Sequence, residues 1–264
     1  MGEIILKFKN MNLIEIKEYF NSLPIEQYPK LVKLLQEDSR KTVQSYATSL
    51  HRKFINYQRE IIRTENLKYY ENKAFSKGYN LIAGIDEVGR GPLAGPVVSA
   101  AVILPKDFNI LYINDSKKLT PQKREELYNL IQKYALDVGI GIVNSQVIDD
   151  INIYQATKLS MYNAVNNLKN KPDILLIDAM KCENIPIKQL SIIKGDSKSI
   201  SIAAASIIAK VTRDRIMDNY HEYYPQYAFN KNKGYGTEEH RNAIIDFGSL
   251  NIHRKTFLRN IIGS

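Results

Sequence analysis

The densest run of reactive side chains is AGIDEVGRGPLAGPV, residues 83–97, where Asp86 and Glu87 stand just ahead of Gly89-Arg90-Gly91. Adjacent like charges repel unless solvent or a cation offsets them. Along an ideal strand the two side chains point to opposite faces. The glycines that follow let the backbone turn, so that both acids can reach one cavity. Alone, the pair reads as two solvated acids at a strand end. Asp178 and Asp196 change that balance. Asp178 closes the apolar run ILLID, a position where α/β sheets present ligand-binding groups. Asp196 lies in KGDSKS, directly before an Ala-rich segment, where an isolated Asp would cap a helix. Four carboxylates at element ends, in a chain with four His and one Cys, favour a hard divalent ion such as magnesium or manganese over zinc.

Glycines at 89 and 91 let the main chain approach a ligand closely, with N–H groups facing phosphate or hydroxyl oxygen. Arg90 between them either donates to a phosphate or covers the loop. The spacing completes neither a dinucleotide fingerprint nor a Walker loop. Tyr235, between Gly234 and Gly236 in KNKGYGTEEH, is placed for presentation on a loop. A ring so presented stacks on a sugar or base, and its hydroxyl can bond a ribose 2′-OH; the plainer reading is a packing tyrosine. Lys117 in NDSKK and Lys194 are cations that can meet phosphates, or simple surface residues.

These groups need a scaffold, and the sequence predicts one. Strands are expected at Leu81–Asp86, Val97–Leu104, Val138–Val143 and Asp173–Asp178. Helices are expected from Pro121 to about Tyr134 with Thr120 as N-cap, from Tyr154 to Leu168, and from Ser199 to Met217, with shorter helical segments after that. Alternating strands and helices indicate an α/β domain. The first 75 residues differ: they hold one glycine and are rich in Lys, Arg, Glu and Tyr. Pro29 opens one helix there, and Val43, Tyr46, Leu50, Phe54, Tyr57 and Ile61 mark a face of a long amphipathic one. Lys41, Arg52, Arg59 and Arg63 line another face, as a solvated stripe or a phosphate contact. ENKAFSKGYN, 71–80, reads as a linker or turn between a helical extension over 1–75 and a core domain over 76–264.

Composition narrows the class. Lys+Arg number 37 against 28 Asp+Glu, a net charge of +9, which suggests a polyanionic partner: nucleic acid or an anionic membrane surface. The longest uncharged stretch, Gly91 to Pro105, is shorter than the roughly 20 residues a spanning helix needs, and it carries Pro92 and Pro96. The N-terminus lacks the apolar region and cleavage site of a signal peptide. One cysteine, Cys182, excludes an internal disulfide and a Cys-rich zinc site, and fits a cytoplasmic location.

Taken together, DEVGRGPLAGPV, NDSKKLT, LLIDAM, KGDSKSISIAAASIIAKVTRD, KGYGT, EEHRNAI and HRKTF, in that order over about residues 81–260, resemble bacterial ribonuclease HII. The resemblance implies an RNase H-like α/β fold, a mixed five-stranded sheet flanked by helices, with C-terminal helices and here an N-terminal helical extension. It implies an endoribonuclease that hydrolyses the RNA strand of RNA–DNA hybrids and cuts 5′ to single ribonucleotides in duplex DNA, leaving 3′-hydroxyl and 5′-phosphate ends. Its acidic set maps onto Asp86, Glu87, Asp178 and Asp196, with Mn2+ or Mg2+ as cofactor and two ions roughly 3.5–4 Å apart. Its Gly-Arg-Gly element maps onto Gly89, Arg90 and Gly91 and its substrate-contacting tyrosine onto Tyr235; Lys117 joins them as a substrate-binding candidate on its charge alone. The partners implied are RNA–DNA hybrid and ribonucleotide-containing duplex DNA, met by a monomer away from membranes. Ribonuclease HIII typically has Gly-Thr-Gly at the loop, so Arg90 points to HII. An HIII-like enzyme needing a run of ribonucleotides and a non-catalytic nucleic-acid binder are the alternatives.

Overall fold

The computed structural model of the chain describes residues 8–259. By compactness the chain divides into two units, one up to Glu65 and one from Asn66 onward. Within the first unit, helix α1 spans Leu13–Asn21 and α2 spans Tyr28–Gln36, and α3, Lys41–Leu67, crosses the divide. Asn12 opens α1 with a capping box: its side chain accepts from Ile14 and Glu15 N–H, and the Glu15 carboxylate accepts from Asn12 N–H at 2.7 Å. Pro29 lies in the first turn of α2, as its fixed φ favours. Phe8, Ile16, Phe20, Val32, Leu35, Val43, Ala47 and Leu50 form this unit's core. The apolar stripe of α3 fades along its length, from buried Val43 and Leu50 to Ile61, which is 38% exposed. Of the expected basic stripe, Lys41, Arg52 and Arg59 are exposed, while Arg63 pairs with Glu60 at 2.7 Å.

The second unit is built on a mixed five-stranded sheet of order β3-β2-β1-β4-β5. Its strands are β1 Ile82–Val88, β2 Val97–Ile103, β3 Asp137–Val143, β4 Ile174–Asp178 and β5 Lys188–Ile192. β2 is antiparallel to β1 and β3, while β4 runs parallel to both β1 and β5. Helices α4 Tyr69–Phe75, α5 Pro121–Tyr134, α6 Ser145–Asn166 and α7 Ile200–Tyr223 accompany the sheet, and α8 Phe229–Asn232, α9 Glu238–Phe247 and α10 Lys255–Leu258 follow. The fold is the expected RNase H-like α/β arrangement. β2, VVSAAVI, is buried at every position, as a central strand covered on both faces must be. α7 comes close to the sheet at Gly84, in first turns, Ile200–Ser206, that hold three Ala and two Ser. A Cβ on Gly84 would lie 2.1 Å from the Ser201 backbone, so only glycine fits there.

Several expectations need correction. Residues 71–80 are not all linker: α4 covers Tyr69–Phe75, with Glu71 and Ala74 buried, and only the stretch after it is turn. Glu71 is what orders it. One Glu71 carboxylate oxygen accepts from the Ser199 and Ser201 hydroxyls and, at 3.0 Å, from Ser201 N–H, so it binds the start of α7. β5 has no counterpart among the expected strands because it is an edge strand with only Ile192 buried, and it lacks an apolar run. The helix expected from Tyr154 is present, but a shorter helical stretch from Ser145, absent from the expectation, runs into it, and α6 comprises both. Asn144 caps its first half, and Asn152 at φ 65° breaks and recaps it, accepting from Tyr154 and Gln155 N–H. α7 runs on past Met217 to Tyr223. Among the described residues no helix is long and apolar enough to cross a membrane.

Candidate active site

Asp86 and Glu87 lie inside β1, which continues to Val88, rather than at its very end. Parallel pairing sets Ile85 opposite Ile177, so the next residues, Asp86 on β1 and Asp178 closing β4, emerge side by side at the carboxyl edge of the sheet. Asp86 is only 7% exposed. Burial, then the charges of Glu87 and Asp178, push it well above the usual carboxylate range, and a hydrogen bond from Ser206 on α7 opposes this only in part. Glu87 is also raised, chiefly by burial, against the pull of Arg90, whose Nη1 lies 3.3 Å from its Oε1.

The Asp178 carboxylate accepts from Gly195 N–H at 2.8 Å, which fixes the 3-10 turn Gly195–Ser197 beside it. Asp196 sits in that turn. It is not a helix cap: Ser199 caps α7, its hydroxyl accepting from Ile202 N–H. Burial, with Asp115 and Asp178 nearby, raises Asp196. Lys117 lies in the 3-10 turn Ser116–Lys118, and its cation opposes in part the rise of both Glu87 and Asp196. A hydroxyl contact pins this turn: Ser116 Oγ lies 2.9 Å from Ser206 Oγ, the group that also bonds Asp86. The four acids and Lys117 are thus gathered at one edge. Among the described residues, however, no three His, Cys, Asp or Glu side chains close around a single point.

The glycine loop is held from beneath. Gly89 adopts φ 94°, and a Cβ there would stand 2.3 Å from Arg213 Nε. Arg213 is fully buried and donates to the carbonyls of Pro96, Lys233 and Ala94 at 2.9, 2.8 and 3.1 Å. Arg254, equally buried, donates to the carbonyls of Gly89, Arg90 and Gly95. Burial draws Arg213 down to about 10 and Arg254 to about 9, so both stay charged at neutral pH. In a planar trans peptide the C=O and the next N–H point opposite ways. With the Gly89 and Arg90 carbonyls turned onto Arg254, the Arg90 and Gly91 amides face away from it. Tyr235 borders the same loop: a Cβ on Gly91 would be 3.9 Å from its ring, which is 41% exposed. Leu93 N–H donates to the Gly234 carbonyl at 2.8 Å, tying the two glycine segments together.

The acidic edge and the two glycine segments therefore form one region containing Asp86, Glu87, Asp178, Asp196, Gly89, Arg90, Gly91, Lys117 and Tyr235, with Lys194 directly before the turn that carries Asp196; Lys41, Arg52, Arg59 and Arg63 belong to α3. Arg213, Arg254, Ser206 and Glu71 were not singled out, because a buried Arg or Ser carries no local signal of burial.

The model of the ribonuclease HII family matches residues 83–260, and that of its N-terminal domain matches residues 13–75. The chain belongs to the ribonuclease HII family. It is 53% identical to the ribonuclease HII of Clostridioides difficile strain 630, over 94% of this chain and 97% of that one. Identity reaches 57% with the ribonuclease HII of Caldanaerobacter subterraneus subsp. tengcongensis, over 78% of this chain and 85% of that one. The crystal structure of the ribonuclease H2 from Pyrococcus horikoshii OT3 superposes with TM-score 0.59 at 27% identity, covering 69% of this chain and 97% of that one. Membership makes the protein a ribonuclease H enzyme, and the ribonuclease HII match takes in both halves of the site, from Asp86 and Glu87 to Tyr235 and Arg254.

Proposed function

We propose that this chain hydrolyses the RNA strand of RNA–DNA hybrids and cuts duplex DNA on the 5′ side of single ribonucleotides, clearing them from DNA as a monomer in the cytoplasm. The observation that carries this reading is the adjacency of an acidic edge to a loop whose Arg90 and Gly91 amides are turned away from Arg254, beside an exposed tyrosine. Asp86, Glu87, Asp178 and Asp196 would hold two divalent ions. The donor set fits: all four are hard oxygen ligands, and Asp86, Glu87 and Asp196 are crowded acids whose charge is disfavoured until a cation offsets it. Magnesium and manganese suit such oxygen donors, and magnesium typically takes one or two carboxylates and completes its shell with water and substrate phosphate. When bound, such ions stabilise charge on the phosphate and lower the pKa of the attacking water.

The chain's own groups then divide the work. The Arg90 and Gly91 amides are turned to donate to the ribose 2′-OH, the group that separates RNA from DNA at the cut, and Tyr235 offers its ring to the adjoining sugar. Lys117 neutralises phosphate beside the acids and supplies affinity without sequence preference. Water oxygen bonds to phosphorus, the bond to the 3′-oxygen breaks, and the leaving oxygen takes up a proton, giving 3′-hydroxyl and 5′-phosphate ends. The test is incubation of the full chain with Mg2+ or Mn2+ and a duplex carrying one ribonucleotide, with a long hybrid alongside. One cut 5′ to the ribonucleotide supports the reading. Intact substrate with either metal, from protein shown to be folded, overturns it.

A further inference from the structure

Two histidines lie under Tyr235. His240 Nδ1 is 2.9 Å from the Tyr235 carbonyl oxygen, and His240 Nε2 is 3.0 Å from His253 Nε2. On the far side of the pair, Leu250 N–H donates to His253 Nδ1 at 2.8 Å. Both rings are buried, at 0% and 2% exposure. Hydrogen-bond logic fixes their protons. An N–H donor occupies His253 Nδ1, so the neutral ring carries its proton on Nε2 and donates it to His240 Nε2. That leaves the His240 proton on Nδ1, aimed at the Tyr235 carbonyl. One neutral arrangement satisfies every nitrogen. A proton added to His240 sets two N–H groups face to face, and one added to His253 opposes Leu250 N–H.

The flanking residues join this pair to the other half of the reading site. Residue 253 makes an antiparallel bridge with Ala94, Arg254 N–H donates to the Leu93 carbonyl at 2.8 Å, and the Arg254 guanidinium holds Gly89 and Arg90. The other rings against the histidines are Tyr227 and Phe229, with centroids 5.3–6.4 Å away.

We propose that His240 and His253 are positioning residues for ribonucleotide recognition, a neutral relay that sets the Tyr235 backbone while Arg254 sets the glycine loop. This rests on the reading that Tyr235 contacts substrate. His240 touches no reacting atom and acts through Tyr235.

A double-mutant cycle tests this, using kcat/KM on a duplex with one ribonucleotide. His240→Leu is expected to lower kcat/KM roughly tenfold, mainly through KM, and His240→Asn, which keeps a donor near Nδ1, to recover most of it. In a Tyr235→Ala background His240→Leu should change nothing further. An equal loss in both backgrounds overturns the relay alone. A silent Tyr235→Ala overturns the reading of Tyr235 and the relay with it. Should His240→Leu fail to fold, 15N spectra of the wild-type histidines at pH 7 decide: one neutral ring protonated on Nδ1, lost in His240→Asn, is expected. Its absence overturns the proposal.

Discussion

Asp86 and Asp178 are placed by main chain: β1 is paired on both sides, by β2 and β4, and β4 by β1 and β5. Gly89, Gly91 and Tyr235 lie outside every strand, and beside a few main-chain bonds such as Leu93 N–H to Gly234 they depend on buried side chains, with Arg213, Arg254 and His240 reaching the Lys233, Gly89 and Tyr235 carbonyls. The acids therefore stand on a rigid edge, whereas the loops depend on a few buried polar groups. A sheet tolerates the loss of one side chain. A brace made of one guanidinium does not, because each carbonyl it leaves unpaired in the interior carries a desolvation cost.

Substitutions should separate these modes of support. Asp86→Asn is expected to lower kcat by about a thousandfold or more while sparing substrate binding and fold, because a transition-state charge network is broken but the strand is not. Single-turnover cleavage with a melting curve on the same protein checks this. Arg254→Met should act the opposite way, destabilising the protein by about 3 kcal/mol in urea unfolding as the Gly89, Arg90 and Gly95 carbonyls lose their donor.

Acid should reach the loops through the histidines. Burial holds His240 below the usual 6.5 and takes His253 to about 4, with His240 the next cause. The unfolded chain binds those protons from about pH 6.5 downward while the folded chain resists them. This stability is thus complete above pH 6.5 and falls as the pH drops toward 4, by roughly 3 kcal/mol from His253 alone. Replacing His253 with Gln should flatten that part of the curve. The smallest effect is expected for Tyr235→Phe, about a fivefold loss of kcat/KM on a single-ribonucleotide duplex with kcat almost unchanged.

The same contrast explains what the sequence disclosed. DILLID and LIAGID announce themselves as apolar runs ending in carboxylates, so the acids and their sheet edge were readable. The two glycine segments were readable as turns, since paired glycines free the backbone, although Arg90 and Tyr235 each kept a plainer reading as a loop cover and a packing ring. Their supports were not. Arg213 in VTRDR and Arg254 in HRKTF look like surface cations, yet they bind carbonyls more than a hundred residues away. Asp196 resembled a cap because it precedes α7, but Ser199 stands closer and takes that role. β5 escaped because an exposed edge strand needs no apolar alternation.

The central claim is that chemistry and reading are separable, the acids doing one and the glycine–tyrosine loops the other. Its most direct measurement uses Asp86→Asn, in Mg2+, binding a duplex with one ribonucleotide and the matched all-DNA duplex, each followed by fluorescence anisotropy. The account predicts tighter binding of the ribonucleotide duplex, by several-fold, and loss of that preference when Tyr235→Ala is added. Equal affinities for the two duplexes in Asp86→Asn would contradict it.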